Sequence, residues 1–425
     1  MEAADTAWVM AAFALVSLMF PGLAFLYGGV MGRNYTLNMF MMVMSSVGVT
    51  AVVYVLYGHG LVLGDSLGGL GIIGNPTELL GFSPMTSDDG GGGTIWGAFY
   101  VLFAAISVAL VASGAAGRMK FSAWMVFVVL WVTFVYAPLG HWVFAISDEA
   151  TGYIGGWMIN VLEFHDFAGG TAVHMNAGAA GLALALVLGA RRNQNVRPHS
   201  LPLTLLGAGL IAAGWFGFNG GTAGGANFLA EYVIMTSLLA LAGGMLGYTF
   251  VERMRDGHFT LLGLSTGMIA GLVGITPSAD AVGPVGALLV GFLSAAAACW
   301  ATGLKRLWNI DDTADVFAVH GVSGIVGVLF VMLVGNPDAP AGVAGVLRGG
   351  DPGMLWRDPL AIVVTLAFSF GMTWLLATIV DKTMGIRISA EEEEAGIDAS
   401  IHAESAYSDS GARPSLLSNR TATTK

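Results

Sequence analysis

The sequence predicts an all-α polytopic membrane protein. It has eleven transmembrane helices with a five-plus-five inverted repeat, its N-terminus outside and its C-terminus cytoplasmic. Three observations predict this. Apolar residues make up 55% of the 425 positions and charged residues only 11%, against roughly 25% charged in an average soluble domain. So few charges cannot cover a soluble surface of that size. Eleven apolar stretches approach the ~20 residues that cross ~30 Å of hydrocarbon, and they are continuous rather than alternating, which means helices and excludes a closed β-barrel. Finally, 15 of the 17 basic residues fall on one set of alternate connections, as the positive-inside rule requires.

The first helix covers 8–30. It is too long for a signal-peptide core, lacks a basic leading region and follows the acidic Glu2 and Asp5. The second, 38–62, follows Arg33. A glycine-rich outer loop with Asp88, Asp89 and Gly90 to Gly93 leads to the third, 95–117. Arg118 and Lys120 separate it from the fourth, 121–144. The fifth, 168–190, is followed by Arg191, Arg192 and Arg197, and the sixth covers 201–219. The seventh, 229–250, ends before Arg253 and Arg255; the eighth is 259–276. Lys305 and Arg306 close the ninth, 282–303. Asp311, Asp312 and Asp315 lead into the tenth, 316–335, an ordinary complement to a helix N-terminus. Arg348 and Arg357 are the only basic residues of the outer side, and the eleventh helix is 359–381. Residues 1–384 thus form the membrane domain, and 385–425 a cytoplasmic regulatory tail. The tail carries Glu391 to Glu394, turns Ser/Thr-rich from Ser405 and reads as disordered near its end.

An internal repeat divides the membrane domain into halves of about 8–190 and 201–335. Ala172-Val173-His174-x3-Gly178-x2-Gly181 recurs as Ala318-Val319-His320-x3-Gly324-x2-Gly327, 146 residues later. Five helices per copy make the two copies cross in opposite directions, which places a site near the midplane at the repeat interface.

Ionisable groups inside membrane helices are costly and mark function. His174 and His320 are the histidines deep inside predicted helices, and the repeat brings them together. A neutral pair can share a proton, one ring donating and the other accepting, and can hydrogen-bond a small polar molecule or pass protons. The plainer reading is two core histidines bonded to backbone carbonyls; their symmetry within a bilayer favours function. A lone pair of histidines suits neither a metal nor haem, so no metal and no cofactor is expected. All four lysines lie outside the spans or at their ends, which excludes a mid-helix Schiff base. No nucleophile–base set marks an enzyme, so no catalytic residue is expected. The excess of 28 acidic over 17 basic residues argues against nucleic acid, and Cys299, the only cysteine, cannot form an intrachain disulfide.

At the outer end of helix five, Asp166 precedes Gly169-Gly170. It is suited to cap the helix, or alternatively to attract a cation; capping is favoured. Phe103, Phe144, Trp215, Phe216 and Phe218 cluster on helices three, four and six. Each alone reads as packing or lipid-facing, while Phe144, near an outer helix end, can offer a π face to a small cation.

Asp166-Phe167-Ala168-Gly169-Gly170-Thr171-Ala172-Val173-His174-Met175-Asn176-Ala177-Gly178 resembles the helix-five signature of the Amt/Mep/Rh superfamily of ammonium transporters, on the Amt side. Gly214-Trp215-Phe216-Gly217-Phe218-Asn219, Asp315-Val316-Phe317-Ala318-Val319-His320-Gly321 and the tail from Gly385 to Tyr407 are similar to its other motifs. The resemblance spans Trp8 to Tyr407. It implies a multi-pass protein of the cell membrane, a homotrimer, and a pore through each subunit for ammonium or ammonia, with methylammonium as analogue. It puts His174 and His320 on the family's twin-histidine positions and Phe103 and Phe218 on its stacked gate. Recruitment falls to Phe103, Phe144, Asp166 and Thr222. Trp215, Tyr27 and Val316 line the pore, the last two near a hydrophobic inner exit. Phe144 stands where the family usually has Trp; whether the neighbouring Trp142 compensates is a question the sequence leaves open. Thr222 replaces a common Ser, Gly117 a position often acidic, and Ala403 a common Gly. A trimeric PII-type signalling protein is the implied partner of the cytoplasmic face. The expected activity is electrogenic ammonium uptake. An electroneutral ammonia channel and an ammonium sensor signalling through a separate partner are the alternatives.

Overall fold

The computed structural model describes residues 2–86, 93–192, 197–307 and 310–407. Asp88, Asp89, Gly90 to Gly92 and the tail beyond Tyr407 lie outside the described residues. Among the described residues ten helices are long and apolar enough to cross a bilayer, and one shorter apolar helix accompanies them. In chain order they are α1 (Ala3–Val30), α2 (Arg33–Leu63), α3 (Gly93–Ala115), α4 (Phe121–Phe144), α5 (Gly170–Leu188), α6 (Leu201–Thr222), α7 (Phe228–Asp256), α8 (Leu261–Ile275), α9 (Pro284–Leu307), α10 (Phe317–Val334) and α11 (Met354–Met384).

The short helix is α8. Its 15 residues rise only ~22 Å at 1.5 Å per residue. Pro277 has no N–H to extend the ladder, and Thr276 N bonds the Val273 carbonyl instead, at 3.2 Å. The chain continues as hydrogen-bonded turns through Ser278 and Ala281, buried in the bundle. Other helices outrun their apolar stretches. α7 extends past 250 through Arg253 and Arg255 to a left-handed cap at Gly257, because polar residues with good helix propensity prolong a helix into the interface.

Among the described residues four helices carry a π-helical turn: Tyr54–Gly58 in α2, Val132–Tyr136 in α4, Gly170–Met175 in α5 and Phe317–Val322 in α10. In α4 the turn ends two residues before Pro138, with Ala137 N bonded to the Val132 carbonyl. The turns in α5 and α10 cover the two copies of the repeated Ala-Val-His segment. The repeat's glycines explain themselves reciprocally. A Cβ on Gly178 would lie 2.5 Å from the Gly321 backbone N, and one on Gly324 would lie 2.9 Å from the Gly170 carbonyl. Each helix therefore rests its post-histidine glycine on the π turn of the other, as close packing of membrane helices requires.

α3 and α5 are the most enclosed helices. Around them, α6 packs on α1, and α7 on α8 and α9. Apolar side chains such as Leu238 and Leu246 of α7, Leu289 and Leu293 of α9, and Val363 and Leu375 of α11 face outward, as lipid or a second subunit demands.

As far as Tyr407 the tail is part of the fold rather than solvated surface. Ile388 N bonds the Arg118 carbonyl and Lys120 N the Ile386 carbonyl, both at 2.9 Å. Two short helices follow, Ala390–Ala395 and Ile397–His402. Within the acidic run, Glu393 is buried: it bonds Arg387 at 2.9 Å and the backbone N of Arg192 at 2.7 Å. Asp398 accepts from Leu37 N and Asn38 N at 3.0 and 2.8 Å and so caps the start of α2. The face carrying this tail is called the inner face below.

Candidate functional site

The π turns of α5 and α10 bring His174 and His320 together, Nδ1 to Nδ1, at 3.2 Å. Both are buried. A hydrogen bond between two Nδ1 atoms needs one ring to donate and the other to accept. In neutral rings the donor then keeps a lone pair on Nε2, and the acceptor carries its proton on Nε2. His174 Nε2 is bonded to no described residue, and both rings line a narrow, mostly apolar cavity with Leu23, Ile106, Leu110 and Trp215. Trp215 lies parallel to the His174 ring at 5.0 Å and 19°. Its indole N–H donates to Thr276 Oγ1 at 3.0 Å, which fixes that plane.

From the histidines an aromatic column runs to the outer end. Phe218 lies 6.0 Å from His174, and Phe103 stacks on Phe218 with centroids 4.1 Å apart and planes at 11°. Both phenylalanines are buried. Phe144 meets Phe103 edge-on at 6.0 Å. Thr222, one turn beyond Phe218, donates its hydroxyl to the Phe218 carbonyl at 2.8 Å and keeps its oxygen lone pairs for another donor.

Trp142 does not stand in at the Phe144 position. Its indole N–H donates to the Ile72 carbonyl at 2.7 Å and its ring packs on Phe368 at 4.8 Å. The aromatic surface beside Phe144 comes instead from α3: Tyr100 lies 6.0 Å from Phe144, and Trp96 lies 5.9 Å from Tyr100. Trp96, Phe99, Tyr100 and Phe103 follow the i, i+3, i+4, i+7 spacing of one helix face, a stripe legible in the sequence but not read there.

Asp166 is saturated. It accepts from the backbone N–H groups of Gly169, Gly170 and Thr171 at 3.0, 2.7 and 2.8 Å and from the Thr171 hydroxyl. It caps the start of α5. Gly169 has φ +99°, and Gly170 lies so near the Pro277 ring that a Cβ would meet it at 2.6 Å. The neighbouring His165 bonds Asp280 at 2.9 Å. Burial disfavours its charge, but Asp280, with smaller contributions from Asp166 and Asp358, raises its pKa above the usual value.

Inward of His320 the cavity opens into a vestibule of about 860 Å³. Tyr27 lines it, its hydroxyl donating to the Leu110 carbonyl at 3.0 Å. Val319 lines it too. Val316 is buried against Gly181, where a Cβ would come within 2.3 Å of its Cγ1. The acidic lead into α10 does more than offset a dipole. Asp312 accepts from Phe317 N at 2.9 Å and from Ser113 Oγ at 2.6 Å. Asp311 takes a two-pronged contact from Arg191 and lies 3.3 Å from the buried Arg118. Although burial opposes it, these guanidinium groups lower the Asp311 pKa to about 2.

The chain can now be set beside known proteins. The model of the ammonium transporter family matches residues 7–407. An ammonium transporter of Corynebacterium glutamicum is 66% identical over 96% of this chain and 90% of that protein. One of Mycobacterium tuberculosis is 44% identical over 99% of this chain and 93% of that protein. Among solved structures, Mep2 of Saccharomyces cerevisiae superposes with a TM-score of 0.85 at 30% identity, covering 97% of this chain and 93% of that one. A structure described as a sensor Amt protein superposes with a TM-score of 0.84 at 26% identity, covering 93% of this chain and 97% of that one.

Proposed function

The chain belongs to the ammonium transporter family, and we propose that it moves ammonium or ammonia across the cell membrane through a pore within its own helix bundle. One observation carries the reading. A stacked phenylalanine pair leads directly to a buried histidine pair, which opens onto a wide vestibule at the inner face.

Ammonium meets Phe144, Phe103 and Tyr100 at the outer end, where aromatic faces attract a small cation. The Thr222 hydroxyl oxygen accepts one of its N–H groups. Asp166, with both oxygens committed to the start of α5, shapes this region through Gly169 and Gly170 without touching the ion. A full charge cannot cross the dry stretch between the phenylalanine stack and the histidines at acceptable cost, so the ion loses its proton at the outer end. Ammonia passes Phe103 and Phe218 and reaches His174 and His320. It donates to one free Nε2 and accepts from the other, an exchange potassium cannot make. Trp215 and Thr276 hold the His174 ring in place for it. The proton crosses separately along the imidazole pair and recombines with ammonia in the inner vestibule. Tyr27, Val319 and, behind it, Val316 shape the exit.

Solid-supported-membrane electrophysiology on proteoliposomes tests this. Ammonium and methylammonium pulses should give a saturable current and potassium pulses none. The double variant His174→Ala/His320→Ala should abolish that selective current; its persistence would sink the proton relay. Ammonia flux without current identifies an electroneutral channel, and binding without flux identifies a sensor. We further propose that the protein is a homotrimer. Its folded tail, together with the basic inner loops, forms the docking surface for a PII-type partner.

A further inference from the structure

Four π-helical turns occur among the described residues. Two hold the histidine pair; the other two lie in the first half of the chain, on α2 and α4. They are joined by a bond between Tyr57 Oη and Thr133 Oγ1 at 2.9 Å, one residue from each turn. Tyr54 opens the α2 turn, His59 directly follows it, and Tyr136 closes the α4 turn. All three side chains are buried. Tyr54 Oη, Tyr136 Oη and His59 Nδ1 find no hydrogen-bond partner among the described residues.

These groups form one cluster. The Tyr54 and His59 rings lie 5.4 Å apart, and His59 and Tyr100 lie 6.3 Å apart. Tyr136 follows Thr133 by three residues on the same face of α4, and Thr133 is the residue that bonds α2 through Tyr57. Phe82 closes over His59 at 5.0 Å. Tyr100 also touches Phe144 at 6.0 Å, so the cluster adjoins the outer aromatic site through one shared ring.

Buried polar groups are nearly always hydrogen-bonded, and a buried water typically serves two to four of them. Each phenol can donate or accept, and so can Nδ1 of a neutral imidazole. A π turn widens a helix and frees backbone geometry, and such turns gather at functional sites. We propose that Tyr54, His59 and Tyr136 form a second buried site, between α2 and α4, for a small neutral hydrogen-bonding molecule: water in the resting protein, with ammonia the alternative occupant of the same chemistry.

Two measurements test it. A crystal structure of the full chain, grown with and without ammonium, should show a density peak within hydrogen-bond distance of two or more of Tyr54 Oη, Tyr136 Oη and His59 Nδ1. A peak in both crystals assigns water; a peak only with ammonium assigns ammonia. Either supports the site, and no peak in either crystal overturns it. The sign of the thermal shift is an independent readout. A hydroxyl that truly lacks a partner is a burden, so Tyr54→Phe and Tyr136→Phe would each raise the melting temperature. A hydroxyl bonded to a bound molecule supports the fold, so each substitution should instead lower it by a few degrees. A rise for both variants would overturn the proposal whatever the crystals show.

Discussion

Substituting Gly178 with alanine should disconnect the histidines without removing either one. The added Cβ would sit 2.5 Å from the Gly321 backbone N and 2.7 Å from its Cα, whereas ordinary contact begins near 3.4 Å. The obstacle is backbone, so no side chain can swing aside. α5 and α10 must separate by about 0.9 Å at this crossing, the difference between those two distances. Gly178 lies one turn beyond His174, and Gly321 directly follows His320. The 3.2 Å link between the rings would therefore stretch to about 4.1 Å, past the ~3.5 Å at which a hydrogen bond ceases. Overpacking of this kind costs about 1–3 kcal/mol, which leaves the protein folded. Misplacement of a working pair by ~1 Å can cost up to ~100-fold in rate. The assay is ammonium-evoked current in proteoliposomes at matched protein density, with melting temperature measured in parallel. Gly48→Ala is the control, because a Cβ there meets nothing within 4 Å. The expected result is a current reduced at least tenfold for Gly178→Ala, with a modest fall in melting temperature. Wild-type current from a folded Gly178→Ala protein would refute the claim that this crossing sets the pair.

Three further predictions follow from other parts of the molecule. Phe144→Trp should raise the apparent ammonium affinity about two- to fivefold, the equivalent of ~0.5–1 kcal/mol of added cation–π attraction, read from the concentration dependence of the current. Asp311→Asn leaves Arg118 and Arg191 without their carboxylate and should destabilise the inner face by roughly 3–5 kcal/mol, measured by thermal unfolding. Because the folded Asp311 pKa is lowered to about 2, its contribution is present above the ordinary value near ~3.9 and is lost as pH falls through the lowered one. His165 runs the other way. Its folded pKa is raised by Asp280 against the effect of burial. Its contribution is full below about pH 6.5, the ordinary histidine value, and fades as pH climbs through the raised value. The gap in melting temperature between wild type and His165→Gln should therefore narrow as pH rises from about 6 to about 8.5; a constant gap would contradict the ion pair.

The helices were legible because a bilayer admits few alternatives. Backbone groups without water must bond internally, so an apolar run of sufficient length becomes a helix whatever its neighbours do. That logic fails where length is marginal or bonding is irregular. α8 reads as a full span, yet Pro277 stops it at Ile275 and buried turns complete the passage. The π turns leave no mark on composition or on apolar periodicity, so nothing at Tyr54, Tyr136, His174 or His320 announces them. The acidic stretch at Glu391 to Glu394 looks like surface, but Arg387 and the Arg192 backbone turn Glu393 inward. Trp142 looks like a substitute for the indole missing at Phe144, but its ring is committed to Ile72 and Phe368.

By itself the sequence determined the solvent of this protein, its alternating charge and its internal repeat, because hydropathy, charge and period are properties of residue order. It also singled out His174 and His320, since ionisable groups in apolar helices are rare enough to stand out. Only the tertiary structure decided that the two Nδ1 atoms face each other at hydrogen-bond distance, that Trp215 lies against His174, and that Tyr100 rather than Trp142 flanks Phe144. These are distances between residues on different helices. They depend on how glycines such as Gly178 and Gly321 let backbones approach, and on the rotation that each π turn imposes on the side chains around it.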